Sequence, residues 1–174
     1  MKSPNPPFEK ETQVWLVSAC LLGFSCRYDG KTAKTTLQTR LSVLEDAEFV
    51  PFCPEAAGGL GTPRAPASIH GGDGKAVLDG IAQVITCHGK DVTKAFRTGA
   101  EHGLNAALVH GATHACLKAR SPSCGVGQIH TDKGLRPGDG VAAALLRKQG
   151  LTILSDEDLV RDNPMTPVVT DHGK

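Results

Sequence analysis

The sequence predicts an α/β fold: a single domain with a mainly parallel sheet and flanking helices, Rossmann-like, plus a β-hairpin. Three observations predict it. Apolar runs too short for helices (Val14 to Val17, Phe49 to Phe52, Thr113 to Lys118, Leu151 to Leu154) read as buried strands. Longer segments of helical periodicity separate them, which implies crossover connections and hence parallel pairing. The 174 residues, 40% of them hydrophobic, suit one domain burying roughly 70% of the surface it exposes when unfolded.

Residues 1–13 are rich in proline and charge and are expected to form a flexible tail, followed by the domain at 14–163 and an irregular tail at 164–174. The first strand runs into Ser18-Ala19-Cys20-Leu21-Leu22-Gly23. Leu37, Leu41 and Leu44 then recur at helical spacing, predicting an amphipathic helix from Thr35 to Ala47. The second strand stops at Cys53-Pro54-Glu55, where proline removes a ladder donor. Residues 56–74, dense in glycine and proline and including Arg64, read as a long loop of functional character.

Asp79-Gly80 between Ala76-Val77-Leu78 and Ile81 to Thr86 predicts the β-hairpin, because its two-residue turn wants positive φ. Asp91 is expected to cap a helix from Val92 to about Val109, with Phe96, Ala100, Leu104 and Ala107 on one face and Gly99 and Gly103 allowing close packing. The Thr113 to Lys118 strand enters Arg120-Ser121-Pro122-Ser123-Cys124-Gly125-Val126-Gly127. Asp139 is expected to cap a helix over 140–149 that stops at Gly150, and Ser155 to Asp158 starts a last short helix.

Nineteen Lys and Arg against eighteen Asp and Glu leave a net charge of +1, which argues against a nucleic-acid or membrane-surface partner. No apolar run approaches the roughly 20 residues of a membrane helix. The expectation is a cytoplasmic protein, monomer or homodimer, acting on a small molecule. No GxGxxG follows the first strand, which removes the dinucleotide fingerprint.

Six cysteines without a CxxC pair point away from zinc ribbons and thioredoxin-like sites, and a reducing compartment points away from disulfides. Cys20, Cys53 and Cys124 each follow a predicted strand, so an open parallel sheet brings them to one edge, where ligands bind. Soft thiolates select zinc, copper(I) or iron-sulfur clusters. Zinc in a structural site wants four closed ligands, whereas three cysteines on a cluster leave one iron open for Lewis-acid chemistry. The plainer reading is three small buried hydrophobes. Core packing is the expectation for Cys116 and Cys87. Cys26 is held in reserve as a replacement ligand, although Asp29-Gly30 suggests a turn that carries it away.

Glu55 is the candidate general base, or an exposed loop carboxylate. Ser121 and Ser123 are candidates to orient water or substrate, or turn formers. Lys118 and Arg120 could offset cluster charge or lie solvated. Arg27 and Arg64 could bind phosphate or pair with loop carboxylates. The seven histidines include no HExxH pair.

Taken in order, Val17 to Gly23 with Arg27-Tyr28-Asp29-Gly30, Cys53-Pro54-Glu55 with Gly58-Gly59-Leu60 and Pro63-Arg64, Lys118 with Ser121 to Gly125, and Gly140 to Arg147 resemble the small bacterial family containing the thiouracil desulfidases. The resemblance runs from about Val14 to Glu157. It implies a [4Fe-4S] cluster on Cys20, Cys53 and Cys124, with the fourth iron free for a thiocarbonyl sulfur. It also implies non-redox desulfidation of 2- or 4-thiouracil to uracil and hydrogen sulfide, with Glu55 activating water or passing protons and Ser121 or Ser123 assisting. Ser18, Arg64 and Lys118 are then the expected substrate-binding residues. A metal-binding or redox-sensing module, or a cluster-dependent hydro-lyase, is the alternative. The chain departs from the family pattern at Gln128 to Gly134, where an aromatic and a DGTF-like turn are usual, and this segment is expected to line the substrate pocket.

Overall fold

The computed structural model describes residues 12–33 and 47–161. The helix expected from Thr35 to Ala47 lies almost wholly outside the described residues, as do nearly all of both tails.

Four strands, β1 (Gln13–Ser18), β2 (Ala47–Phe52), β5 (His114–Leu117) and β8 (Thr152–Ser155), form an all-parallel sheet in the order β2-β1-β5-β8. The chain places β2 on one side of β1 and β5 on the other, so the strand order reverses beside the C-terminal end of β1. The apolar runs account for these strands. Leu16 packs with Ala107, Leu117 and Leu146 on one face, and Trp15 and Val17 with Leu21 and Cys116 on the other. Pro51 costs no internal ladder bond because β2 is an edge strand.

A second four-stranded sheet, order β4-β3-β6-β7, is built from β3 (Ala67–His70), β4 (Gln83–Thr86), β6 (Gln128–Thr131) and β7 (Gly134–Pro137). Only β3 and β6 pair in parallel. Ile69, Val84 and Ile129 are fully buried against Phe96, Ala100, Val141 and Ala142.

Five helices complete the described fold: α1 (Pro54–Ala57), α2 (Gly74–Leu78), α3 (Thr93–His110), α4 (Val141–Lys148) and α5 (Asp158–Arg161). In α3 the expected face is inside, with Phe96, Ala100 and Ala107 buried. Gly99 permits the approach of α1, since a Cβ there would overlap the Pro54 carbonyl. Ser155 and Asp158 close a reciprocal capping box at α5, with Asp158 N donating to Ser155 Oγ at 3.1 Å and Ser155 N to Asp158 Oδ2 at 2.9 Å.

Three expectations are corrected. No hairpin spans Ala76 to Thr86: Ala76 to Leu78 belong to α2, capped by Asp73, whose Oδ1 accepts from Ala76 N at 3.0 Å. Asp79-Gly80 ends that helix instead of turning a hairpin. Gly80 has φ +77°, the left-handed conformation that both uses require. The two-residue hairpin is β6–β7, around Asp132-Lys133. Residues 56–74 are not one loop, since they contain β3. Asp139 does not cap α4; it accepts from Gly127 N at 2.9 Å and pairs with Arg147 at 2.7 Å.

Candidate functional site

The C-terminal ends of β1, β2 and β5 open onto a cavity of about 540 Å³. Cys20 reaches it from a 3-10 turn (Ala19–Leu22) directly after β1, and Cys53 from the residue between β2 and α1. Cys124 comes from the turn after β5 and is buried. All the expected site residues line this cavity except Ser123, which is buried behind the wall.

The Cys124 turn is held by tight backbone packing. Ser121 Oγ accepts from the N–H groups of Ser123 and Cys124, each at 3.1 Å. The first N–H groups of α4 are satisfied by this turn and not by a capping side chain. Val141 N donates to Pro122 O at 3.0 Å, Ala142 N to Ser123 O at 2.9 Å, and Gly140 N to Gly125 O at 2.8 Å. Gly140 is the residue that allows such contact, because a Cβ there would lie 2.5 Å from the Ser123 carbonyl.

Burial pushes the Cys124 thiol up to about 12, while the hydroxyls of Ser18 and Ser123 favour its thiolate. Ser123 Oγ is buried without a well-formed hydrogen bond. The Cys53 thiol is pushed up by its contact with the Cys26 thiol and then by burial. Cys26 is raised chiefly through Cys20. Cys26 therefore stays at the site, in contact with two of the three expected ligands, and Asp29-Gly30 does not carry it away. Cys87 is exposed on the cavity wall, a correction to its expected place in the core, whereas Cys116 is fully buried.

The four basic residues at the cavity are paired with carboxylates. Arg64 Nε donates to Glu55 Oε2 at 2.6 Å, both side chains being largely buried, and its Nη2 donates to Cys26 O at 3.0 Å. Lys118 Nζ meets Asp156 Oδ2 at 2.7 Å, and Ala119 N donates to Asp156 Oδ1 at 2.6 Å. Arg120 pairs with Glu157 at 2.8 Å and Arg27 with Asp29 at 3.4 Å. Of the open readings, loop-carboxylate pairing is the one observed for Arg27 and Arg64. Ser18 Oγ accepts from Lys118 N at 2.9 Å, joining the ends of β1 and β5.

The sequence did not single out Ser68, His130, Thr131 and Cys87 as site residues, yet they form the facing wall, supplied by the second sheet. Two signals pointed there: the functional reading of residues 56–74, which contain Ser68, and the departure at Gln128 to Gly134, which contains His130 and Thr131. Among the described residues no helix is long and apolar enough to cross a membrane.

Comparison with known proteins places the chain in a family. A family model described as 2-thiouracil desulfurase matches residues 15–158. The uncharacterized protein YbbK of Bacillus subtilis (strain 168) is 42% identical over 147 residues, covering 83% of this chain and 96% of the relative. A solved structure titled as the [4Fe-4S]-dependent thiouracil desulfidase TudS superposes with a TM-score of 0.69 at 39% identity, covering 87% of this chain and 94% of that one. The chain belongs to the 2-thiouracil desulfurase family.

Proposed function

We propose that this protein is a [4Fe-4S]-dependent desulfidase. It replaces the sulfur of a thiolated pyrimidine, of the 2- or 4-thiouracil type, with oxygen from water, releasing uracil and hydrogen sulfide without net redox change. The observation that carries this reading is the arrival of Cys20, Cys53 and Cys124 from three separate elements at one cavity, in a chain of this family.

The residues fit such a group. Thiolates are the usual donors to iron-sulfur clusters. Cys20, Cys53 and Cys124 all line the same cavity of about 540 Å³. Cys20, Cys53 and Cys124 would hold the cluster. When bound, it supplies an iron with an open position, a Lewis acid for the thiocarbonyl sulfur.

The protein's own groups handle water and protons. Glu55 has Oε2 fixed by Arg64, leaving Oε1 to take a proton from the attacking water and pass it to the departing sulfur. Ser121 accepts two backbone N–H bonds, so its own hydroxyl proton is directed to water or substrate. Lys118, oriented by Asp156, places positive charge on the wall of the same cavity, and Ser18 ties its backbone to β1. A second ligand assignment, Cys26 in place of Cys20 or Cys53, is favoured by its contact with both.

Protein reconstituted anaerobically should release sulfide from 2- or 4-thiouracil in proportion to the uracil formed. Glu55→Gln should keep the cluster absorption and lower kcat by about 10²- to 10⁴-fold. A reconstituted wild-type protein that carries a cluster but releases no sulfide from either thiobase contradicts the reading.

A further inference from the structure

The cavity has a second wall that the desulfidation steps leave without a role. β3 and β6 pair with Ile69 opposite Thr131, so Ser68 stands beside His130 on the neighbouring strand. Ile69 and Ile129 point into the core, and alternation along each strand turns Ser68 and His130 to the other face, where both line the cavity. His130 N donates to Arg120 O at 3.1 Å, which fixes this strand to the segment just before Ser121.

The four cations at the site are each paired with a carboxylate, and Ser68 Oγ contacts His70 Nε2 at 3.1 Å. The His130 imidazole has no side-chain partner among the described residues and is exposed. A neutral imidazole carries its donor and its acceptor on nitrogens that point apart, so one ring meets a single group of a ligand edge and leaves the adjacent group to the Ser68 hydroxyl. A pyrimidine thione presents two such groups on one edge, a ring N–H next to a carbonyl, which suits two neighbouring side chains.

We propose that His130, with Ser68 beside it, is a specificity-determining residue that binds an N–H/C=O edge of the thiolated pyrimidine and so turns its C–S bond toward the cysteine wall. This inference rests on the desulfidase reading above.

The test uses the anaerobically reconstituted holoenzyme with uracil, a ligand that is not turned over. His130→Phe removes both polar ring positions at similar size, and His130→Gln restores a donor and an acceptor. His130→Phe should weaken uracil binding, measured by calorimetry, by about tenfold. The KM for 4-thiouracil should rise by a similar factor, with kcat falling less, and His130→Gln should recover most of the loss. Unchanged uracil affinity and KM in His130→Phe would overturn the proposal, as would a Gln variant as weak as Phe. A wild-type holoenzyme that neither binds uracil nor releases sulfide overturns the desulfidase reading itself and the proposal with it, so the two failures are distinct.

Discussion

The six cysteines share a side chain and differ in what surrounds it. Cys116 sits inside β5, where burial, and then the charges of Asp156 and Asp158, push its thiol up to about 12 from an ordinary value of 9.0. A thiol raised in the folded state stabilises the fold fully below its unfolded pKa, and that contribution shrinks as pH rises from about 9 toward 12. Thermal unfolding followed from pH 7 to pH 10 should therefore show an alkaline loss of stability that is smaller in Cys116→Ala, even though that variant starts lower for lack of packing. Another buried thiol, Cys124, differs because hydroxyls of Ser18 and Ser123 stand by it to favour the thiolate a metal needs. The sequence puts one within an apolar run and the other beyond its end, and in the fold the first lies in the core and the second at the cavity. Sequence alone misplaced Cys87, because the strand before it pairs with β3 and ends at the cavity, and nothing local to Cys87 encodes that pairing.

At the scale of elements, the parallel sheet was legible because each of its strands is a short apolar run, and α3 because its buried face repeats at helical spacing. Of the second sheet only β4 was legible, as the Ile81 to Thr86 run. Its strands are four residues long, β7 is exposed throughout, and the β3–β6 pairing joins segments with no sequence signal for one another. Asp79-Gly80 was read correctly as demanding positive φ but assigned to the wrong device, since a helix stop and a hairpin turn ask the same of glycine. The cap expected from Asp139 failed for a related reason: the carbonyls of Pro122 and Ser123 already take the first N–H groups of α4. That docking makes a prediction. Gly140→Ala puts a Cβ against the Ser123 carbonyl, with backbone on both sides, so it should cost about 1–3 kcal/mol in chemical denaturation and lower cluster loading by displacing Cys124. Full stability with normal iron content would show that α4 does not position the turn.

Over the whole molecule, two sheets meet at one cavity with a division of labour. The parallel sheet delivers thiols to the edge where its strand order reverses, and the second sheet supplies an opposing wall of hydroxyl and imidazole groups. Asp156 links the end of β8 to the segment that follows β5 through Lys118 Nζ and Ala119 N, so closure of the site depends on residues late in the chain. The central claim is that Cys20, Cys53 and Cys124 hold the cluster. Its most direct test is iron content and visible absorption of single Cys→Ser variants after anaerobic reconstitution. Cys20→Ser, Cys53→Ser and Cys124→Ser should each lose the cluster, while Cys26→Ser and Cys87→Ser keep it. Loss in Cys26→Ser together with retention in any of the first three would contradict the assignment.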